Sequence, residues 1–121
     1  MKLEDLEIYN LSMNLSDKIW ELVHKWDYFA KHTVGKQWVK ASGSVDDNIS
    51  EGFGRYTSRD SRNFYSIARG SLHESKTWLT KAYRRSHISE NEFEELQKEW
   101  TSIKFKMINF IKAHFKLMEN K

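Results

Sequence analysis

Apolar residues recur at steps of three and four along most of the chain, the spacing of amphipathic helices rather than strands. Ile8, Leu11, Leu15, Ile19, Leu22 and Trp26 form one stripe and predict a first helix from about Glu4 to Lys25, with a short connector around Phe29 to Thr33. A second helix over about Val34 to Gly52 carries Val34, Trp38, Ala41, Val45, Ile49 and Gly52 on one face. Gly52 and Gly54 supply the permissive backbone that ends it. Thr57 or Ser58 caps a third helix, which has Asp60 in its first turn and turns Phe64, Ala68, Ser71, Leu72, Ser75, Trp78, Leu79 and Ala82 inward. Gly70 in mid-helix costs about 1 kcal/mol relative to Ala, which predicts a closely approaching neighbour helix there. The fourth helix opens on the capping box Ser89-x-x-Glu92 and continues through Phe93, Leu96, Trp100, Ile103, Met107, Phe110, His114 and Leu117. The pattern predicts an all-α fold, an antiparallel up-down-up-down four-helix bundle.

Two stripes exceed what a single core requires. In the second half of the fourth helix Ile108, Ile111, Phe115 and Met118 widen the apolar arc, which marks them as a candidate oligomer interface. On the second helix Ser44, Asn48, Glu51 and Arg55 line up roughly a quarter turn from the core stripe. A solvated face needs no ordered series of this kind, so the ladder predicts a hydrogen-bonded network with Ser71 and Glu74 of the third helix as further members. Asn48 and Glu51 are expected to be largely buried, satisfied near Arg69 to Ser71 or by Arg55.

The same residues carry a resemblance. The core Asn48-Ile49-Ser50-Glu51-Gly52, followed by the run FYSIARGSLHE from Phe64 to Glu74, resembles the four-helix-bundle proteins encoded by intervening sequences in bacterial 23S rRNA genes. Relatives of that family include the accessory proteins of diversity-generating retroelements. The similarity extends from about Leu6 to about Leu117. It implies an antiparallel bundle that assembles as a ring-shaped homopentamer, with nucleic-acid binding in some members and no established enzymatic activity. Where the family usually carries an Arg-rich stretch ahead of the NI-x-EG core, this chain reads GKQWVKASGS, with only Lys36 and Lys40.

Composition narrows the class. The 121 residues fit one domain, residues 1–121, and the absence of Pro with only five Gly favours long helices joined by short turns. With no Cys there is no disulfide framework and no thiolate metal site. No cleavable apolar N-terminal segment and no apolar run near 18 residues is present, so the expectation is a cytoplasmic protein without a membrane partner.

Net charge is only +3, yet its distribution is uneven. Residues 1–28 hold three Lys against six acids, while residues 55–87 hold eight Lys or Arg against Asp60 and Glu74. Arg55, Arg59, Arg62, Arg69, Lys76, Arg84 and Arg85 therefore form the candidate nucleic-acid-binding surface, with Lys81 nearby. The competing reading is a solvated face that pairs with the acidic first helix of the same or a neighbouring subunit. Tyr56, Tyr65 and Tyr83 are equally readable as stacking residues or core-edge residues.

Enzymatic constellations are missing. A di-iron bundle uses two Glu-x-x-His pairs, and this chain has one, Glu21 with His24, near a helix end. Gly52-x-Gly54 reads as a helix stop and not a phosphate loop, Ser71 with Glu74 reads as helix-crossing residues, and His114 reads as a packing residue. The sequence thus points to a non-enzymatic oligomeric binding or scaffolding protein, contacting RNA, DNA or a nucleic-acid-handling protein with its basic helix. A purely structural homo-oligomer is the alternative. No cofactor, metal or small-molecule substrate is implied.

Overall fold

The structure, a computed structural model, describes residues 1–119, with side chains through Lys116. A 3-10 turn at Leu3–Asp5 precedes α1, Glu7–His24. The short α2, Tyr28–Ala30, passes through a π-helical turn, Lys31–Gly35, into α3, Lys36–Phe53; α4 is Ser58–Arg84 and α5 is Glu90–Glu119. All of these elements are helical, and no strand occurs among the described residues. The four long helices form the bundle, in which α1 and α4 each pack against both α3 and α5 and lie on a diagonal.

Contacts between neighbours run in opposite chain directions, as an antiparallel bundle requires. Lys18 reaches Glu95 and Glu99, while Lys106 reaches back to Glu7. Ser44 meets Ser71, whereas Gly52, further along α3, meets Ser61 and Tyr65, earlier on α4. Trp100 meets Leu72, and His114 meets Ser58. The core is filled by Trp38, Ile19, Ile49, Leu72, Ile103 and Met107. Trp100 is buried with them because its Nε1–H donates to the Leu72 carbonyl at 2.7 Å, so the indole enters the interior without stranding a donor.

The expected caps are present. Thr57 Oγ1 accepts from the Asp60 N–H at 3.1 Å. Ser89 Oγ accepts from the Glu92 N–H at 3.1 Å, and Glu92 Oε1 accepts from the Ser89 N–H at 2.8 Å, which closes the capping box at the start of α5. Two boundaries differ from the sequence expectation. Leu6 has an extended ψ of 116°, which separates the Leu3–Asp5 turn from α1, and its buried side chain holds that break against the core. The expected connector at Phe29–Thr33 is helical, because Asp27 Oδ1 accepts from the Ala30 N–H at 3.0 Å and starts a helix there.

Glycine placement brings a further correction. A Cβ at Gly70 would meet nothing within 4 Å, so no neighbouring helix approaches closely there. The close approach is at Gly52, where a Cβ would fall 2.5 Å from Tyr65 Cε1 and 3.1 Å from the Ser61 carbonyl oxygen. Gly35 has a similar role at the other end of α3, where a Cβ would lie 2.6 Å from Val23 Cγ1. Opposite stability effects are therefore expected from one kind of substitution. Gly52→Ala overpacks the α3–α4 seam and should lower the unfolding free energy by about 1–3 kcal/mol. Gly70→Ala adds helix propensity in open space and should raise it by about 0.5–1 kcal/mol. Urea denaturation of the two variants reads both signs; equal effects would disprove the assignment of the close approach.

Candidate nucleic-acid interface

The polar ladder is assembled only in part. Asn48 Nδ2 donates to the Ser44 carbonyl at 2.7 Å and to Ser44 Oγ at 3.0 Å, and Ser44 Oγ lies 2.8 Å from Ser71 Oγ across the α3–α4 seam. These three residues join the helices at their middles. Glu51, expected to be buried, is exposed and accepts only from Arg55, at 3.2 Å. At 100° per residue it lies roughly 60° further from the core direction than Asn48, which carries it past the seam into solvent. Glu74 is also exposed and takes a long 3.5 Å contact from Trp78 Nε1 in its own helix, outside the network.

The basic row divides into occupied and free cations. The Arg55 guanidinium, already bonded to Glu51, lies 4.5 Å from the Phe64 ring centroid, and that of Arg62 lies 4.5 Å from the Phe115 ring. Lys76 sits 4.6 Å from the ring of buried Trp100, where burial and then the nearby Lys104 push its pKa down. Arg62 and Lys76 therefore join α4 to α5 in place of standing free on the candidate nucleic-acid-binding surface. Lys81 covers Trp78 at 4.5 Å. Arg59, Arg69, Arg84 and Arg85 are exposed, and none has an ion pair or ring partner among the described residues. Arg59, Arg62, Arg69 and Arg84 fall within a roughly 80° arc of α4, while Arg85, at the helix cap, faces elsewhere.

The acidic first helix cannot neutralise this row within one subunit, because α1 and α4 are diagonal. The interhelical ion pairs seen among the described residues, Lys18 with Glu95 and Glu99 and Lys106 with Glu7, join α1 to α5.

The apolar arc of α5 is half-covered. Ile108, Ile111 and Phe115 are intermediate in exposure, and Arg62 lies over Phe115; the Met118 side chain lies outside the described residues. Phe105, which the heptad-like pattern leaves out, is 58% exposed on the outer side of α5. Of the three tyrosines, Tyr65 is buried edge-on to Phe110 and His114, Tyr83 stacks on Phe93 with centroids 4.4 Å apart, and Tyr56 is fully exposed. His114 packs there as the sequence suggests, its Nε2 3.4 Å from the Ser58 carbonyl.

Glu21 and His24 are both exposed, and no group of three or more His, Cys, Asp or Glu is placed to hold a metal ion among the described residues. No described helix is long and apolar enough to cross a membrane. One titratable group that the sequence pattern does not single out is Asp46, only 5% exposed, with Oδ2 unpartnered. It stands on the α1-facing flank of α3 opposite the ladder. Burial, and secondarily the charge of Asp47, push its carboxyl up to about 7, opposed in part by its own backbone N–H.

The fold is that of a four-helix-bundle protein with a cationic outer helix. Residues 4–109 match the family model of the 23S rRNA-intervening sequence proteins, and the chain belongs to that family. Among solved structures, it resembles a protein of unknown function from the S23 ribosomal protein family of Bacteroides thetaiotaomicron. The two share 22% identity and a TM-score of 0.78, over 87% of this chain and 95% of that one. No curated protein matches the chain.

Asp46 makes stability depend on pH with a defined sign. Its folded pKa, about 7, lies above the ordinary value of 3.8, so between these limits the folded chain keeps a proton that the unfolded chain has lost. Its contribution therefore favours folding at low pH and is withdrawn as pH rises from about 4 to about 7. Asp46→Asn should be more stable than the parent at pH 8, by on the order of 1–3 kcal/mol, and should match it near pH 4. Denaturation midpoints at the two pH values measure this, and a pH-independent difference would contradict it.

Proposed function

We propose that this protein is a non-enzymatic binding or scaffolding protein that works as a homo-oligomer, a pentamer in the family pattern, and contacts RNA or DNA through α4. The supporting observation is the set of exposed cations, Arg59, Arg69 and Arg84, that pair with no acid among the described residues. From Arg59 to Arg84 the row spans about 38 Å at 1.5 Å per residue, long enough for several backbone phosphates. Such a row attracts a polyanion without reading its sequence. A nucleic-acid-handling protein with an acidic face is a further partner compatible with the same charge.

A second reading, a purely structural oligomer, draws on a groove of about 410 Å³ between α1 and α5 whose rim carries Asp17, Glu21, Glu92 and Glu95 against Lys18 and Lys25, an excess of acid. A neighbouring copy's α4 cations would complement it, and the ring would then need no nucleic acid.

Salt titration separates the readings. Nucleic-acid binding should weaken by roughly 0.7–0.9 log units per contacted phosphate for each tenfold rise in salt. The combined Arg59→Glu, Arg69→Glu variant should abolish it with helicity intact, since neither side chain touches the core. Undetectable binding by the intact oligomer at low salt would leave the structural reading in front. Light scattering tests assembly separately: an oligomer is expected at micromolar concentration, and Phe115→Glu should shift it toward smaller species before the bundle unfolds. A monomeric parent would refute the assembly claim.

A further inference from the structure

The four tryptophans Trp26, Trp38, Trp78 and Trp100 each have an aromatic or ammonium partner: Trp26 and Trp38 stack on each other, Lys81 covers Trp78, and Lys76 covers Trp100. Trp20 is different. It is 59% exposed on α1, and neither ring nor cation lies over it among the described residues. An exposed indole without a partner is costly in apolar area, and its surroundings indicate what would cover it.

Trp20 borders a groove of about 270 Å³ between α1 and the start of α3. Buried Val23 and half-buried Val39 supply its apolar floor, and its charged lining is Lys31, Lys36 and Lys40, with no carboxylate. None of the three lysines forms an ion pair among the described residues. The backbone explains why they converge. Gly35 lets Val23 lie against α3, and the π-helical turn Lys31–Gly35 carries Lys31 to the same groove as Lys36 and Lys40, which are one α-helical turn, about 6 Å, apart.

Resting on the nucleic-acid reading above, we infer that this groove receives one base of a single-stranded nucleic acid, stacked on Trp20, with the flanking phosphates held by Lys31, Lys36 and Lys40. A free aromatic face beside an apolar floor and a ring of cations is the combination that single-strand binders use. The volume is slightly below the roughly 300 Å³ at which drug-sized pockets begin, so it suits one planar base and not a larger ligand. The α4 row lacks this combination: Arg55 covers Phe64, Lys81 covers Trp78, Tyr83 stacks on Phe93, and exposed Tyr56 stands beside the carboxylates Glu51 and Asp60. The two surfaces have separate roles, α4 attracting the backbone and the α1–α3 groove holding an unpaired base.

Fluorescence anisotropy tests this on the full-length protein with fluorescein-labelled oligo(U) and oligo(dT) of about twelve nucleotides, beside a duplex of equal length, at low salt. Trp20→Ala should weaken single-strand binding about 5- to 150-fold, the range expected for one lost stack, with little effect on the duplex. Trp20→Phe should restore most of the affinity. Lys36→Ala with Lys40→Ala should also reduce the salt slope by roughly 0.7 per lost phosphate contact. If Trp20→Ala binds like the parent while Arg59→Glu, Arg69→Glu does not bind, the groove assignment is overturned and the nucleic-acid reading stands. If the parent binds no oligonucleotide, both fall. If Trp20→Ala alters the oligomer size by light scattering, the groove is a subunit contact and the assignment is again overturned. Thermal melts of each variant confirm that the exposed position tolerates the change.

Discussion

The distance between α3 and α4 is set where Gly52 lies under the Tyr65 ring, and much of the bundle depends on that spacing. A side chain at Gly52 would strike both the ring and the Ser61 carbonyl, so the glycine is what lets the backbones approach. The tyrosine thus pressed inward meets Phe110 and His114 edge-on and so orients the second half of α5. Further along the seam, Ser44 and Ser71 touch hydroxyl to hydroxyl, which only small polar residues at a close crossing can do. Asn48 adds two bonds to Ser44, and the seam is thereby held by shape at one end and by directed hydrogen bonds at its middle. Directed bonds fix register in a way that apolar packing alone does not.

The helices are legible in the sequence because periodicity and capping agree. Thr57 with Asp60 and Ser89 with Glu92 mark two starts that apolar spacing also indicates. Treating residues as directions on a cylinder is less successful. It places Glu51 beside Asn48, although one further helical turn rotates Glu51 out of the seam. It also sets Arg62 and Lys76 on a free ridge, because angle alone ignores the length of these side chains, which carries their charged ends over Phe115 and Trp100. Gly70 shows the limit of propensity arguments, since its cost is real but no neighbour compensates it. The α1–α3 groove is least visible: Trp20 lies on one helix and Lys31, Lys36 and Lys40 lie beyond a turn, and only the fold brings them together.

Cations over rings recur through this molecule, and they bear on specificity as well as stability. A guanidinium spread on Phe115 or an ammonium over Trp100 keeps its charge but gives up mobility, so those groups act as part of the bundle. The arginines that remain free are consequently those able to reorient toward an irregular partner. Ring-bound and free charge thus share one helix: Phe115 and Trp100 of α5 take Arg62 and Lys76, Trp78 of α4 takes Lys81, and Arg59, Arg69 and Arg84 have no ring over them among the described residues.

The diagonal placement of α1 and α4 gives the bundle an electric orientation. Asp17 and Glu21 stand on the α1–α5 rim, and Arg59, Arg69 and Arg84 stand on α4, with no ion pair joining the two sets among the described residues. Such a body experiences a torque near a polyanion, acting over roughly a Debye length, about 8 Å at physiological ionic strength. In the proposed complex it would arrive turned, with the α1–α5 rim of Asp17 and Glu21 pointing away and the α1–α3 groove left open to the strand. A strand so coated would present that carboxylate rim to its surroundings in place of its phosphates.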